Sequence, residues 1–175
     1  MPEVADGRRA KGERRRRALL DAALRLLGRD GVAAVTQRGV AAEAGVPPSA
    51  VLYYFDGVDE LLVAALTAVN DRYVARLEAV ATLDDLAAML AECGAQDRQQ
   101  TIAEYELLLL AARRDDLAAE VRRWDDALAA VAARLVAPPH RPLLVAAVNG
   151  LAFGATLGAP AELDPAWFGG ARTDR

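Results

Sequence analysis

Apolar positions recur in steps of three and four along most of this chain, and no stretch keeps the strict alternation of a half-buried strand. Leu20, Ala23, Leu24 and Leu27 form one stripe in the segment ERRRRALLDAALRLLGRDG, predicting a helix from Glu13 that Gly28 and Gly31 close. Val40, Ala41 and Ala44 form a short stripe behind Thr36, and another short segment opens at Pro48 and ends in Tyr53-Tyr54-Phe55. After Asp56-Gly57, the rhythm of Leu62, Ala65, Leu66, Val69, Tyr73, Leu77 and Val80 predicts one long helix from about Val58 to Val80. Leu86, Met89, Leu90 and Cys93 follow a plausible cap at Thr82. Gln96 to Arg114 carries four consecutive leucines, Leu107 to Leu110, which cover every side of a helical turn and predict a central helix. From Asp115 to Val136, Leu117, Val121, Trp124, Leu128, Val131 and Leu135 alternate steps of four and three as a heptad-like seam. Past the break at Pro138-Pro139-His140-Arg141-Pro142, Leu143 to Leu157 is apolar, with Gly150, Gly154 and Gly158 as a ridge of small residues. The whole pattern predicts an all-α protein.

Composition refines this without changing it. The 175 residues are 54% hydrophobic and 26% charged, enough to bury one or two small cores and too apolar to stay unfolded. The net charge of -4 conceals an asymmetry: residues 1–57 hold ten basic against seven acidic side chains, a net of +3, which leaves -7 for the rest. A basic head is drawn to a polyanion and an acidic body is repelled by it, so we expect two parts, residues 1–57 and residues 58–175. The single cysteine excludes an internal disulfide and any zinc site built on cysteines, which fits a reducing compartment. The N-terminus has no apolar run with a small-residue cleavage site, so a cytoplasmic protein is expected. Pro142 and Pro160 bracket seventeen uncharged residues, the short limit for a membrane span, and Asn149 with three glycines argues against insertion. One histidine in a proline-rich turn, no glycine-rich phosphate loop and no metal-ligand spacing argue against an enzyme and imply no cofactor.

The most informative stretch is VTQRGVAAEAGVPPSAVLYYFDGVDEL, residues 35–61. Thr36 is a helix cap, Gly45 can adopt the left-handed conformation that ends a helix, and Pro48 suits the first turn of the next. Helix, glycine turn and second helix make a helix-turn-helix, whose second helix enters the major groove of DNA. The spacing of Thr36, Val40-Ala41, Ala44-Gly45-Val46, Tyr53-Tyr54-Phe55 and Leu61 resembles the N-terminal signature of the TetR family of bacterial transcriptional repressors, over roughly Arg14 to Ala65. The chain departs from many relatives at Leu52, where they carry tyrosine, and at Val58, where they carry lysine. Both are phosphate contacts in the family.

That resemblance implies a three-helix DNA-binding head, a helical ligand-binding and dimerisation body, and release from operator DNA by a small molecule. On the head, Arg38 has a planar fork able to bond guanine O6 and N7, and its position matches one used for base contact in the family. Thr36 and Gln37 lie beside it. Pro48, Ser49 and Ala50 are small enough for close approach and for contact with thymine methyls, while Tyr53 and Tyr54 should meet phosphates and Phe55 should anchor the core. Arg14, Arg15 and Arg16 can lie along phosphates or enter a minor groove. In the body, Tyr73, Met89, Cys93, Tyr105, Glu106, Trp124 and Phe153 are candidates to line a largely apolar effector cavity, although helical spacing alone also explains them as core. Leu117, Val121, Trp124, Leu128, Val131 and Leu135, with Ala147, Gly150, Leu151 and Gly154, are candidates for the dimer interface. The alternative is a helical dimer that works through a protein partner or by sequestering a ligand, with DNA contacts weakened at Leu52 and Val58.

Overall fold

A computed structural model describes residues 3–95 and 98–168, and their side chains except those of residues 3–6, 8 and 93–95. Every regular element among the described residues is helical. They are α1 (Glu3–Asp30), α2 (Gln37–Ala44), α3 (Pro48–Tyr54), α4 (Val58–Ala79), α5 (Leu83–Ala95), α6 (Arg98–Ala111), α7 (Ala118–Leu135) and α8 (Arg141–Thr156). Short 3₁₀ turns lie at Val32–Ala34, Asp115–Leu117, Pro138–His140 and Pro165–Phe168. The chain divides into two compact units: residues up to Ala68 with Ile102–Leu117, and Val69–Thr101 with the residues from Ala118 onward. Helices α4 and α6 therefore each contribute to both.

In the first unit α1 packs on α2 and α2 on α3. Leu19, Ala22, Ala23 and Leu27 of α1, Val40 and Ala41 of α2, Val51 of α3, Phe55, and Leu61, Ala65 and Leu66 of α4 are buried. The first helix begins at Glu3, not Glu13, and runs through Gly7, Gly12 and Gly28. A helical glycine costs about 1 kcal/mol relative to alanine but does not stop a helix flanked by alanine, leucine and arginine. The terminator is Gly31, whose φ of 79° is left-handed. The leucine run on α6 is likewise less central than its composition suggests: Leu107 is fully buried, but Leu109 is 65% exposed. Two residues on, a side chain has turned by about 200° around the helix axis, so the pair faces opposite ways.

The second unit has a core of Leu77, Leu86, Leu90, Leu128, Val131, Leu144 and Val148, closed by Phe168. Helix α5 starts with a reciprocal cap: the Asp85 N–H donates to Thr82 Oγ1, and Asp85 Oδ2 accepts from the Thr82 and Ala81 N–H groups. Arg134 on α7 donates to the carbonyls of Leu77 and Val80, at the end of α4 and just past it. Pro142 sits in the first turn of α8 instead of ahead of it, where its missing N–H has no intrahelical partner to lose.

Part of the expected dimer seam is internal to the chain. Leu117, Leu128 and Val131 are 0–1% exposed and lie in the cores of their own units, so a second copy cannot reach them. Leu135, Ala147 and Leu151 pack against the second core, and Val121 is half-buried. Gly150 stays on the surface and Gly154 at its margin. The outward stripe of α8 is instead Leu143, Ala146, Gly150, Phe153 and Leu157. No described helix is long and apolar enough to cross a membrane.

Candidate nucleic-acid interface

Thr36, extended at φ -121° and ψ 160°, caps α2: its Oγ1 accepts from the Gly39 N–H at 3.0 Å. Gly39 is required by close approach, because a Cβ there would stand 2.7 Å from the Ala34 carbonyl oxygen. Together they set the entry of α2, leaving Arg38 exposed in its first turn and Gln37 half-buried beside it. The other end of α2 is tied to α1 through Glu43, which accepts from Arg25 Nε at 2.8 Å and Arg29 Nη1 at 3.1 Å. The hydrogen bond from Arg25, then that from Arg29, holds the Glu43 carboxyl below its ordinary value.

Between α2 and α3, Gly45 adopts φ 67° and ψ 35°. Its N–H donates to the Ala42 carbonyl and the Val46 N–H to the Ala41 carbonyl, the paired bonds of a Schellman turn. Pro47 is extended and Pro48 opens α3. The seven-residue α3 turns Val51 into the core, followed by Phe55. Its opposite face presents Pro48, Ser49, Leu52 and Tyr53, with Leu52 51% and Tyr53 80% exposed. Tyr54 is half-buried and meets Tyr53 edge to face at 4.9 Å between centroids. The Arg16 guanidinium lies over the Phe55 ring, 5.0 Å from its centroid.

An open groove of about 680 Å³ runs between α1 and α3, with Arg15 and Ala18 on one side and Ser49, Ala50, Tyr53 and Tyr54 on the other. The structure thus brings Arg15 together with the α3 residues and leaves Arg14 exposed on α1. It gives Arg16 to Phe55 and Thr36 to the cap. Sequence reasoning missed the Glu43 clamp, whose partners are 14 and 18 residues away, and the close approach at Gly39. Leu52, where the family's phosphate contact is missing, stands as an apolar side chain on the outward face.

Tyr73 and Trp124 stack face to face, 3.7 Å between centroids and 6° between planes. Nearby along α4, Asn70 is fully buried and donates from Nδ2 to the carbonyl and carboxylate of Glu120, on the same α7. Its Oδ1 has no partner. Met89 is core, Phe153 is 49% exposed, and the Cys93 side chain lies outside the described residues. Tyr105 and Glu106 are half-buried in the first unit. Among the described residues no cluster of three or more histidine, cysteine or acidic side chains could hold a metal ion.

Two family models match. One, described as bacterial regulatory proteins of the tetR family, covers residues 19–65; the other, the C-terminal domain of tetracyclin-repressor-like proteins, covers residues 77–173. The chain belongs to the TetR family. The first match spans the helix-turn-helix and its supports, from Leu19 on α1 to Ala65 on α4. Among curated relatives of this TetR-family chain, the HTH-type transcriptional regulator BetI of Rhizobium meliloti (strain 1021) is 34% identical over 116 residues, 62% of the chain and 56% of BetI. The chain spans about half the length of the curated relatives it matches. A TetR-family structure from Streptomyces coelicolor A3 is 34% identical with a TM-score of 0.74, covering 87% of this chain and 92% of that one. The multidrug binding protein EbrR, complexed with imidazole, is 33% identical with a TM-score of 0.68, covering 87% and 89%. EbrR is also known complexed with ethidium, malachite green and proflavin.

Proposed function

We propose that this chain is a homodimeric repressor that reads a near-palindromic operator and leaves it when a small organic molecule binds the body. The observation that carries the reading is the outward face of α3. Ser49, Leu52 and Tyr53 stand exposed next to a groove that holds Arg15, Arg38 is exposed on the preceding helix, and this part of the chain has a net positive charge. A short helix offered in this way fits the major groove, with arginine and tyrosine placed for the flanking phosphates. Selection of bound sequences from a random duplex library at two salt concentrations tests it. A two-fold motif recovered at both is the expected result; binding to any duplex, lost as salt rises, rejects sequence-specific reading.

Homodimerisation rests on α8. Leu143, Ala146, Gly150, Phe153 and Leu157 make an uncharged outward stripe over its whole length, and Gly150 allows close approach of a second helix. The effector is proposed from the Tyr73–Trp124 stack and the buried Asn70 with its unpartnered oxygen, which suit a molecule with a flat apolar part and a hydrogen-bond donor. The aromatic molecules in the EbrR complexes, imidazole, ethidium, malachite green and proflavin, support that class. Equal ligand affinity with and without operator would reject the regulatory part, because coupling between two sites is reciprocal.

A further inference from the structure

The outward face of α3 has an unusual inventory for a DNA-reading helix. Pro48 and Leu52 bring no side-chain hydrogen-bonding group, Ser49 brings one hydroxyl and Tyr53 another, and neither amide nor guanidinium is present on the helix. Leu52 is the largest apolar side chain on that face that ends in hydrocarbon, and it is 51% exposed. It sits one turn beyond Ser49 and next to Tyr53, turned out to solvent while Val51 and Phe55 enter the core. Nothing in α3 needs an exposed leucine there, since Val51 and Phe55 already fix the helix to its support.

In the major groove, adenine, guanine and cytosine present donors and acceptors, and thymine adds a methyl group to its acceptor. A leucine pressed against a cytosine amino group or a guanine oxygen strips water from it and offers no partner, which is unfavourable. Against a thymine methyl it buries apolar surface on both sides. We infer that Leu52 is a specificity-determining residue that selects thymine at one position of each half-site by contact with its C5-methyl group. The inference rests on the operator-reading function proposed above, and names the chemistry by which α3 reads. Pro48, one turn back on the same side, widens the apolar surface beside Leu52, while discrimination by hydrogen bonding falls to Arg38 on α2.

The test uses the full-length protein and the recovered operator, with each thymine replaced singly by uracil, which removes the methyl and nothing else. We expect one position per half-site where uracil weakens binding about fourfold, the value of one methyl-sized group buried. In the Leu52→Ala protein the same replacement should have almost no effect. 5-Methylcytosine should recover part of the affinity that cytosine loses at that position. Leu52→Gln should shift the preferred base there to adenine, whose N6 and N7 a glutamine can bond together. Circular dichroism melts establish that both variants fold. If no uracil replacement weakens binding, or if the loss is equal in wild type and Leu52→Ala, the inference falls while operator reading stands. Absence of any sequence-specific binding overturns the operator-reading function and this inference with it.

Discussion

In the proposed function, base reading by hydrogen bonds depends on Arg38. It is exposed in the first turn of a helix whose entry is fixed by the Thr36 cap and the close approach at Gly39. We expect Arg38→Ala to weaken operator binding by about 1–3 kcal/mol and to relax preference at one base pair per half-site. Binding measured against a panel of operator variants checks this; an unchanged ranking of the panel would contradict it. Glu43 carries a pH prediction. Its folded carboxyl is held below its ordinary value by Arg25 and Arg29, so the clamp stabilises the head above the ordinary carboxylate range, and this contribution fades as pH falls through the depressed value. Thermal melts of wild type and Glu43→Gln should therefore differ near neutral pH and converge in acid. A gap that widens on acidification would show the sign to be wrong.

At the scale of elements, the turn between α2 and α3 decides where the reading face points. Gly45 lies at φ 67°, where a side chain meets the following carbonyl, so Gly45→Ala should cost about 1–2 kcal/mol. Gly39 is different: its φ is ordinary, and the obstacle is the Ala34 carbonyl oxygen, 2.7 Å from any added Cβ. Backbone must shift to admit alanine, moving the first turn of α2 and Arg38 with it. Gly39→Ala should accordingly reduce operator affinity in protein that remains folded, whereas Gly45→Ala should act mainly on stability. Denaturant melts beside binding isotherms for the two variants separate these outcomes.

For the whole molecule, the proposed dimer rests on the surface of α8. Placing a charge on its outward stripe, as in Leu143→Glu, should shift a dimer to monomer in sedimentation and lower operator affinity, with little change in the monomer's own fold because Leu143 is 54% exposed. Leu128→Ala is the contrasting case. Leu128 is fully buried in the second unit, so the variant should lose about 2–5 kcal/mol of stability through the cavity it leaves. If Leu128→Ala instead dissociated a dimer without loss of stability, the seam on α7 would face a partner after all.

What the chain alone determined was local. The helices could be read because periodicity reports a buried face whatever lies against it, and the helix-turn-helix because its cap, its left-handed glycine and its N-terminal proline act within a few residues. The same locality explains the misreadings. A heptad spacing looks alike whether Leu128 and Val131 meet their own α8 or a second copy, and only the packed chain shows them in their own core. Gly28 looked like a stop, but a glycine ends a helix only where the chain must turn left-handed, as at Gly31. The tertiary structure also decided the side of α3 on which Leu52 stands, the Glu43 clamp, and the buried Asn70 joined to Glu120. Each depends on residues distant in sequence, whose meeting is set by packing and not by local backbone preference.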